Sequence, residues 1–148
     1  MYHRILVPLD GSGTAERGLR EAIGMAIAHK AELHLLHVVD DFPLMVEMSS
    51  AINFQETRAH LSQFGEVLLA KAKGSAEEAG VRADIALREL TSGRVADAIV
   101  EEATNAGCDL IVIGSHGRRG FSRLALGSEA ERVARSSPVP VLLVHQGA

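Results

Sequence analysis

The sequence predicts an α/β fold in a single domain: a parallel five-stranded sheet with helices on both faces, Rossmann-like in plan. Two observations carry this. Short apolar runs alternate with stretches of helical period, and the most apolar runs lack the polar alternation of a half-exposed sheet.

The first run, "RILVPL" at residues 4 to 9, is closed by "DGSG" and reads as a buried strand ending in a turn. Ala15, Leu19, Ala22, Ile23, Ala26 and Ile27 then recur at helical spacing, with His29 and Lys30 at the end where cations suit the helix dipole. "ELHLLHVV" at 32 to 39 is a second strand. Residues 40 to 53 show no steady period and read as a loop or irregular segment. Leu61, Phe64, Leu68, Ala72 and Ala79 mark one face of a long helix that stops at Gly80.

"VRADIALRE" alternates, which predicts a less covered strand at the sheet edge. Val95, Ile99, Ala103 and Ala106 mark a helix expected to start at Thr91 or Ser92 as N-cap and to end at Gly107. "CDLIVIG" is the most continuous apolar strand and is expected at the centre of the sheet. After "GSHGRRGFSRLALGS", Ser128 and Glu131 have capping-box spacing, "SSPVP" breaks the helix, and "VPVLLVH" at 139 to 145 is the last strand.

Composition narrows the function. At 148 residues, with 47% apolar and 23% charged residues, one core suffices, and residues 1–148 are read as one domain. A net charge of −4 and 3% aromatics speak against a nucleic-acid partner. No run is long enough for membrane insertion, and a single cysteine, Cys108, fits a reducing compartment, so a cytoplasmic protein is expected. Cys108 reads as an inert core thiol. The seven histidines are scattered; the closest pair, His34 and His37, sits three apart on a strand, which sends the rings to opposite faces and argues against a metal site.

The stretch from Gly114 to Ser128 holds the chemistry. It lacks the lysine of a Walker A loop, and "GSGTAE" carries Glu16 where a dinucleotide fingerprint needs its third glycine. G-x-S-x-G nearly fits around Ser12 and Ser115, but Asp10 and Ile113 replace the first glycine. What remains is Gly114-x-x-Gly117, nine residues, then Gly127-Ser128. Such glycines let amides line an anion pocket, and the amides of Gly127, Ser128 and Glu129 would open a helix toward phosphate. Arg118, Arg119 and Arg123 would meet outer phosphates. The same residues equally describe a strand end, a helix cap and a solvated loop, and Glu129 and Glu131 put acid where an anion would sit.

"RILVPLDGS", "LHLLHVV", "CDLIVIGSHGRRGFSRLALGS" and "SSPVPVLLV" together resemble the universal stress protein family over nearly the whole chain, and the glycine spacing matches the G-2x-G-9x-G-[ST] motif of its nucleotide-binding branch. The resemblance implies strand order 3-2-1-4-5 and ATP, with Mg2+, as ligand. It places Pro8 and Asp10 near adenosine or the metal, Val38 at adenine through its backbone, Gly114 and Gly117 beside ribose and phosphates, and Gly127, Ser128 and Glu129 on phosphates. It also implies a homodimer paired through the last strand, Val139 to Val144, which otherwise leaves an apolar edge. The function expected is ATP-binding regulation of stress responses. A weak ATPase or nucleotidyl-transfer enzyme and a nucleotide-free dimeric signalling partner are the alternatives; without a lysine clamp or arranged base, at most slow hydrolysis is expected.

Overall fold

The computed structural model describes residues 1–40, 51–90, 92–116 and 126–146, with 51–54 described by backbone only. These form β1 (Arg4–Pro8), α1 (Gly13–His29), β2 (Glu32–Asp40), α2 (Ala51–Glu78), β3 (Ala83–Leu90), α3 (Val95–Asn105), β4 (Leu110–Gly114), α4 (Ser128–Ser136) and β5 (Val141–Val144). All strand pairs are parallel, in the order β3-β2-β1-β4-β5.

Side-chain alternation along the strands divides the core into two layers. Ile5, Val7, Leu33, Leu35 and Val112 pack under α1 and α2 with Leu19, Ala22, Leu69 and Ala76. Leu6, Leu36, Ile111 and Ile113 pack under α3 and α4 with Ile99, Ala103 and Val133. Full burial of a side chain such as Ile5 or Leu6 contributes roughly 1.5–3 kcal/mol, and both layers draw on β1, whose Ile5, Leu6 and Val7 are wholly buried. β1 is therefore the middle strand, paired to β2 on one side and β4 on the other. The expectation that "CDLIVIG" lies at the centre is corrected: β4 is interior, one place from the β5 edge. An unbroken apolar run says that both faces are covered, not how many strands lie on either side.

β3 is an edge, as its alternation predicts, with Asp84, Ile85 and Glu89 exposed. The glycines expected to end α2 and α3 do so in left-handed backbone, Gly80 at φ 81° and Gly107 at φ 69°. Boundaries differ, the last strand among them: it spans Val141–Val144 rather than 139 to 145. α2 already begins at Ala51, inside the stretch read as irregular; residues 41–50 lie outside the described residues. The N-cap of α3 is Arg94, without a side-chain cap bond, rather than Ser92; Gly93 at φ 88° turns the chain between them, and Thr91 lies outside the described residues. The N-cap of α4 is Gly127, which moves Ser128 inside the helix and leaves the Ser128–Glu131 capping box unused.

Candidate functional site

β1 leaves the sheet at Pro8. The Leu9 N–H donates to the Leu36 carbonyl at 2.8 Å, and the Leu9 carbonyl accepts from His37 Nδ1 at 2.7 Å. The chain then turns at Asp10–Gly11–Ser12: Asp10 Oδ1 accepts the Ser12 N–H at 2.9 Å, Gly11 takes φ 85°, and Ser12 caps α1 by accepting the Ala15 N–H. This orients the Asp10 carboxylate at the carboxyl end of β1, where open α/β sheets hold ligands.

β4 ends beside it. A Cβ on Gly114 would sit 2.9 Å from the Thr14 carbonyl carbon and 3.0 Å from the Ala15 nitrogen, so only glycine lets the first turn of α1 rest on the strand end. Thr14 Oγ1 also donates to the His116 carbonyl. The two ends of the following segment are drawn together, the Gly127 N–H donating to the Ser115 carbonyl at 2.7 Å. A Cβ on Gly127 would lie 2.9 Å from that same oxygen. Both motif glycines within the described residues thus have a packing reason of their own. Gly117 and Arg118, with Arg119 and Arg123, lie outside the described residues.

α4 starts here. The N–H groups of Ser128, Glu129 and Ala130 have no acceptor within the helix, and the dipole adds about half a positive charge at this end. The two acids of the first turn face elsewhere. Glu129 Oε2 accepts the Ala96 N–H of α3 at 2.7 Å, and Glu131 pairs with Arg135 at 2.8 Å along its own helix. Each of the two carboxylates thus has a partner of its own, and their negative charge stays within the first turn. Ser115 Oγ and His116 Nε2 are buried without a hydrogen-bond partner among the described residues, a cost of roughly 1–3 kcal/mol each unless a polar group meets them.

Pro8, Asp10, Val38, Gly114, Gly127, Ser128 and Glu129 accordingly lie at the carboxyl edge of β1, β2 and β4 and at the opening of α4. Val38, paired with Arg88 across to β3, is half-buried and packs on the α3–α4 layer. The set fits a phosphate-bearing ligand: open amides, a nearby carboxylate and unsatisfied polar atoms. Among the described residues no three His, Cys, Asp or Glu side chains gather into a group that could hold a metal ion. Thr14, Ser115 and His37 are participants that spacing did not single out in these roles; their signals are long-range contacts with no local pattern.

Among the described residues a dense ionic cluster lies at the opposite edge. Arg4 donates to Asp84 at 2.6 Å and to Glu32 at 3.2 Å, while His34 faces Asp84 Oδ1 at 2.5 Å and Glu102 at 2.7 Å. His34 and His37 do face opposite sides of the sheet. Burial pushes the Asp84 carboxyl up, but hydrogen bonds from Arg4 and His34 outweigh it and hold the group below the usual carboxylate range. These groups join strand starts and are remote from the Asp10 turn.

Comparison with known proteins decides the family. The model of the universal stress protein family matches residues 1–145. The chain belongs to this family. A universal stress protein of Methanocaldococcus jannaschii, MJ0531, is 36% identical over 144 residues, covering 97% of this chain and 82% of that one. Among solved structures, MJ0577 superposes with a TM-score of 0.81 at 30% identity, covering 97% of this chain and 96% of that one. A universal stress protein in complex with cAMP superposes with a TM-score of 0.70 at 29% identity, covering 99% of both. As a universal stress protein, the chain shares the strand order of its solved relatives. Among the described residues no helix is long and apolar enough to cross a membrane.

Proposed function

We propose that this protein is an ATP-binding regulator of stress responses, acting in the cytoplasm as a homodimer of one domain, residues 1–148. The observation that carries the reading is the open start of α4, whose first-turn amides have no acceptor within the helix while Glu129 and Glu131 are bonded to Ala96 and Arg135. The relative solved with cAMP supports an adenine nucleotide as the ligand class. In this reading Gly127, Ser128 and Glu129 hold phosphates through their amides and Arg118 neutralises the outer ones. Gly114 and Gly117 let ribose and phosphate approach, Val38 meets adenine through its backbone, and Asp10, flanked by Pro8, orients Mg2+ or ribose. The metal, when bound, supplies charge neutralisation across the phosphates.

The β5 edge supplies the dimer contact: Leu142 is 37% exposed and Val141 and Leu143 are half-buried on an apolar edge strand. Leu142→Lys is expected to convert the dimer to monomer in sedimentation analysis. A wild-type monomer at all concentrations would remove this part of the reading.

The decisive experiment is a thermal-shift titration with MgATP beside AMP and cAMP. A ligand at a hundred times its Kd stabilises by about 2.7 kcal/mol, and Gly117→Val is expected to abolish the shift with the fold retained. An unmoved midpoint at millimolar nucleotide would favour the nucleotide-free partner, whereas ADP formed in single turnover would favour the slow ATPase.

A further inference from the structure

We infer that His37 is a positioning residue: clamped between α2 and the sheet, its ring fixes the Leu9 carbonyl and through it the Asp10–Gly11–Ser12 turn that the nucleotide reading uses. The functional half of this inference rests on that reading.

The ring is 8% exposed on β2. Its Nδ1 lies 2.7 Å from the Leu9 carbonyl, which can only accept, so Nδ1 carries a proton and the tautomer is set by this contact. The opposite side of the ring is pressed by α2. A Cβ on Gly65 would stand 2.5 Å from His37 Cδ2 and 2.7 Å from Leu87 Cδ1, so the helix can lie this close only where residue 65 has no side chain. Phe64, the preceding residue, meets the His37 ring edge-on at 6.0 Å between centroids, and its ring tip would be 3.1 Å from a Cβ on Gly11.

The turn is therefore held from three directions. Leu36 accepts the Leu9 N–H, His37 donates to the Leu9 carbonyl, and Phe64 covers Gly11, all immediately around Asp10. Asp10 Oδ1 is tied to the Ser12 N–H at 2.9 Å, so the carboxylate direction follows the turn. A ligand-binding carboxylate needs such support, because placement errors of order half an ångström already erode binding. His37 meets the Leu9 carbonyl, Phe64 and the Gly65 face of α2, which makes its role positional. A glycine within a 28-residue helix is otherwise unfavourable, and this contact explains it.

The test compares His37→Asn, whose amide nitrogen takes the place of Nδ1 and still donates, with His37→Leu, which cannot. Both lose ring packing and both are expected to lower the melting temperature. The Ser12 amide in the ligand-free protein is expected to exchange at least about tenfold faster in His37→Leu, and MgATP affinity to fall by a similar factor, with His37→Asn within about threefold of wild type for both. Gly65→Ala, which pushes α2 off the ring, should behave like His37→Leu. Unchanged Ser12 exchange in His37→Leu would overturn the inference even if nucleotide binds normally, as would equal loss of affinity in both His37 variants in step with their melting temperatures. If wild type binds no adenine nucleotide, the nucleotide reading fails, and Ser12 exchange still decides whether His37 holds the turn.

Discussion

The Glu129 carboxylate of α4 caps α3, accepting the Ala96 N–H at 2.7 Å. One side chain of α4 thereby satisfies the start of α3. Arg94, the N-cap residue of α3, offers no side-chain bond, so the cap comes from 33 residues away.

Removing this cap should destabilise the fold. Glu129→Ala is expected to cost about 0.5–2 kcal/mol, the usual range for a lost helix cap, read as a lower urea midpoint at unchanged slope. Glu129→Gln keeps an acceptor and should lose less. Equal midpoints for wild type and Glu129→Ala would show that the contact contributes nothing.

Glycine replacements should divide by what their Cβ meets. Gly114→Ala drives a methyl to 2.9 Å from Thr14 and Gly127→Ala to 2.9 Å from Ser115, both against backbone. Each is expected to destabilise by about 1–3 kcal/mol. Gly24→Ala in α1 meets nothing within 4 Å and should stabilise by about 0.5–1 kcal/mol, as mid-helix alanine does. Differential scanning calorimetry of the three variants checks the order.

Acid should weaken the protein through two carboxylates. For Asp109, burial raises the carboxyl's pKa, but the N–H groups of Arg4 and His3 and the His3 side chain outweigh it and hold it below the usual range; Asp84 is held low likewise. A folded-state pKa below the unfolded value means that the stabilisation is present above the unfolded pKa of about 3.9 and is lost as pH falls through the folded one. Denaturation midpoints should therefore drop below about pH 4, and Asp109→Asn should flatten that acid limb while being less stable than wild type at pH 7. An identical acid limb in the variant would remove Asp109 from the account.

Cys108 should be inert in the native state. It is 5% exposed, and burial pushes its thiol up to about 11, with Arg4 nearby opposing only part of the effect. At pH 8 a thiol-alkylating reagent is expected to label it only after denaturant is added. Because the folded thiol is the weaker acid, its contribution to stability is complete below the unfolded thiol's pKa of about 8.5 and is lost as pH rises from there toward 11. Rapid native labelling at pH 8 would contradict the assigned burial.

The succession of strands and helices was legible in the sequence. Apolar runs and helical periods are local, so Ile5 to Val7, Leu33 to Leu36 and Leu110 to Ile113 announced buried strands, Gly80 and Gly107 announced helix ends, and the alternation around Asp84 announced an edge. The resemblance carried by the glycine spacing supplied the strand order that the fold displays. Tertiary structure decided which group caps α3 and why residues 65, 114 and 127 are glycine. The physical reason is that a cap, a close backbone approach or a carbonyl partner depends on what another element brings within about 3 Å, and the residues involved, such as Ala96 with Glu129 or His37 with Leu9, are separated by 33 and 28 positions. Periodicity along the chain carries no record of such meetings.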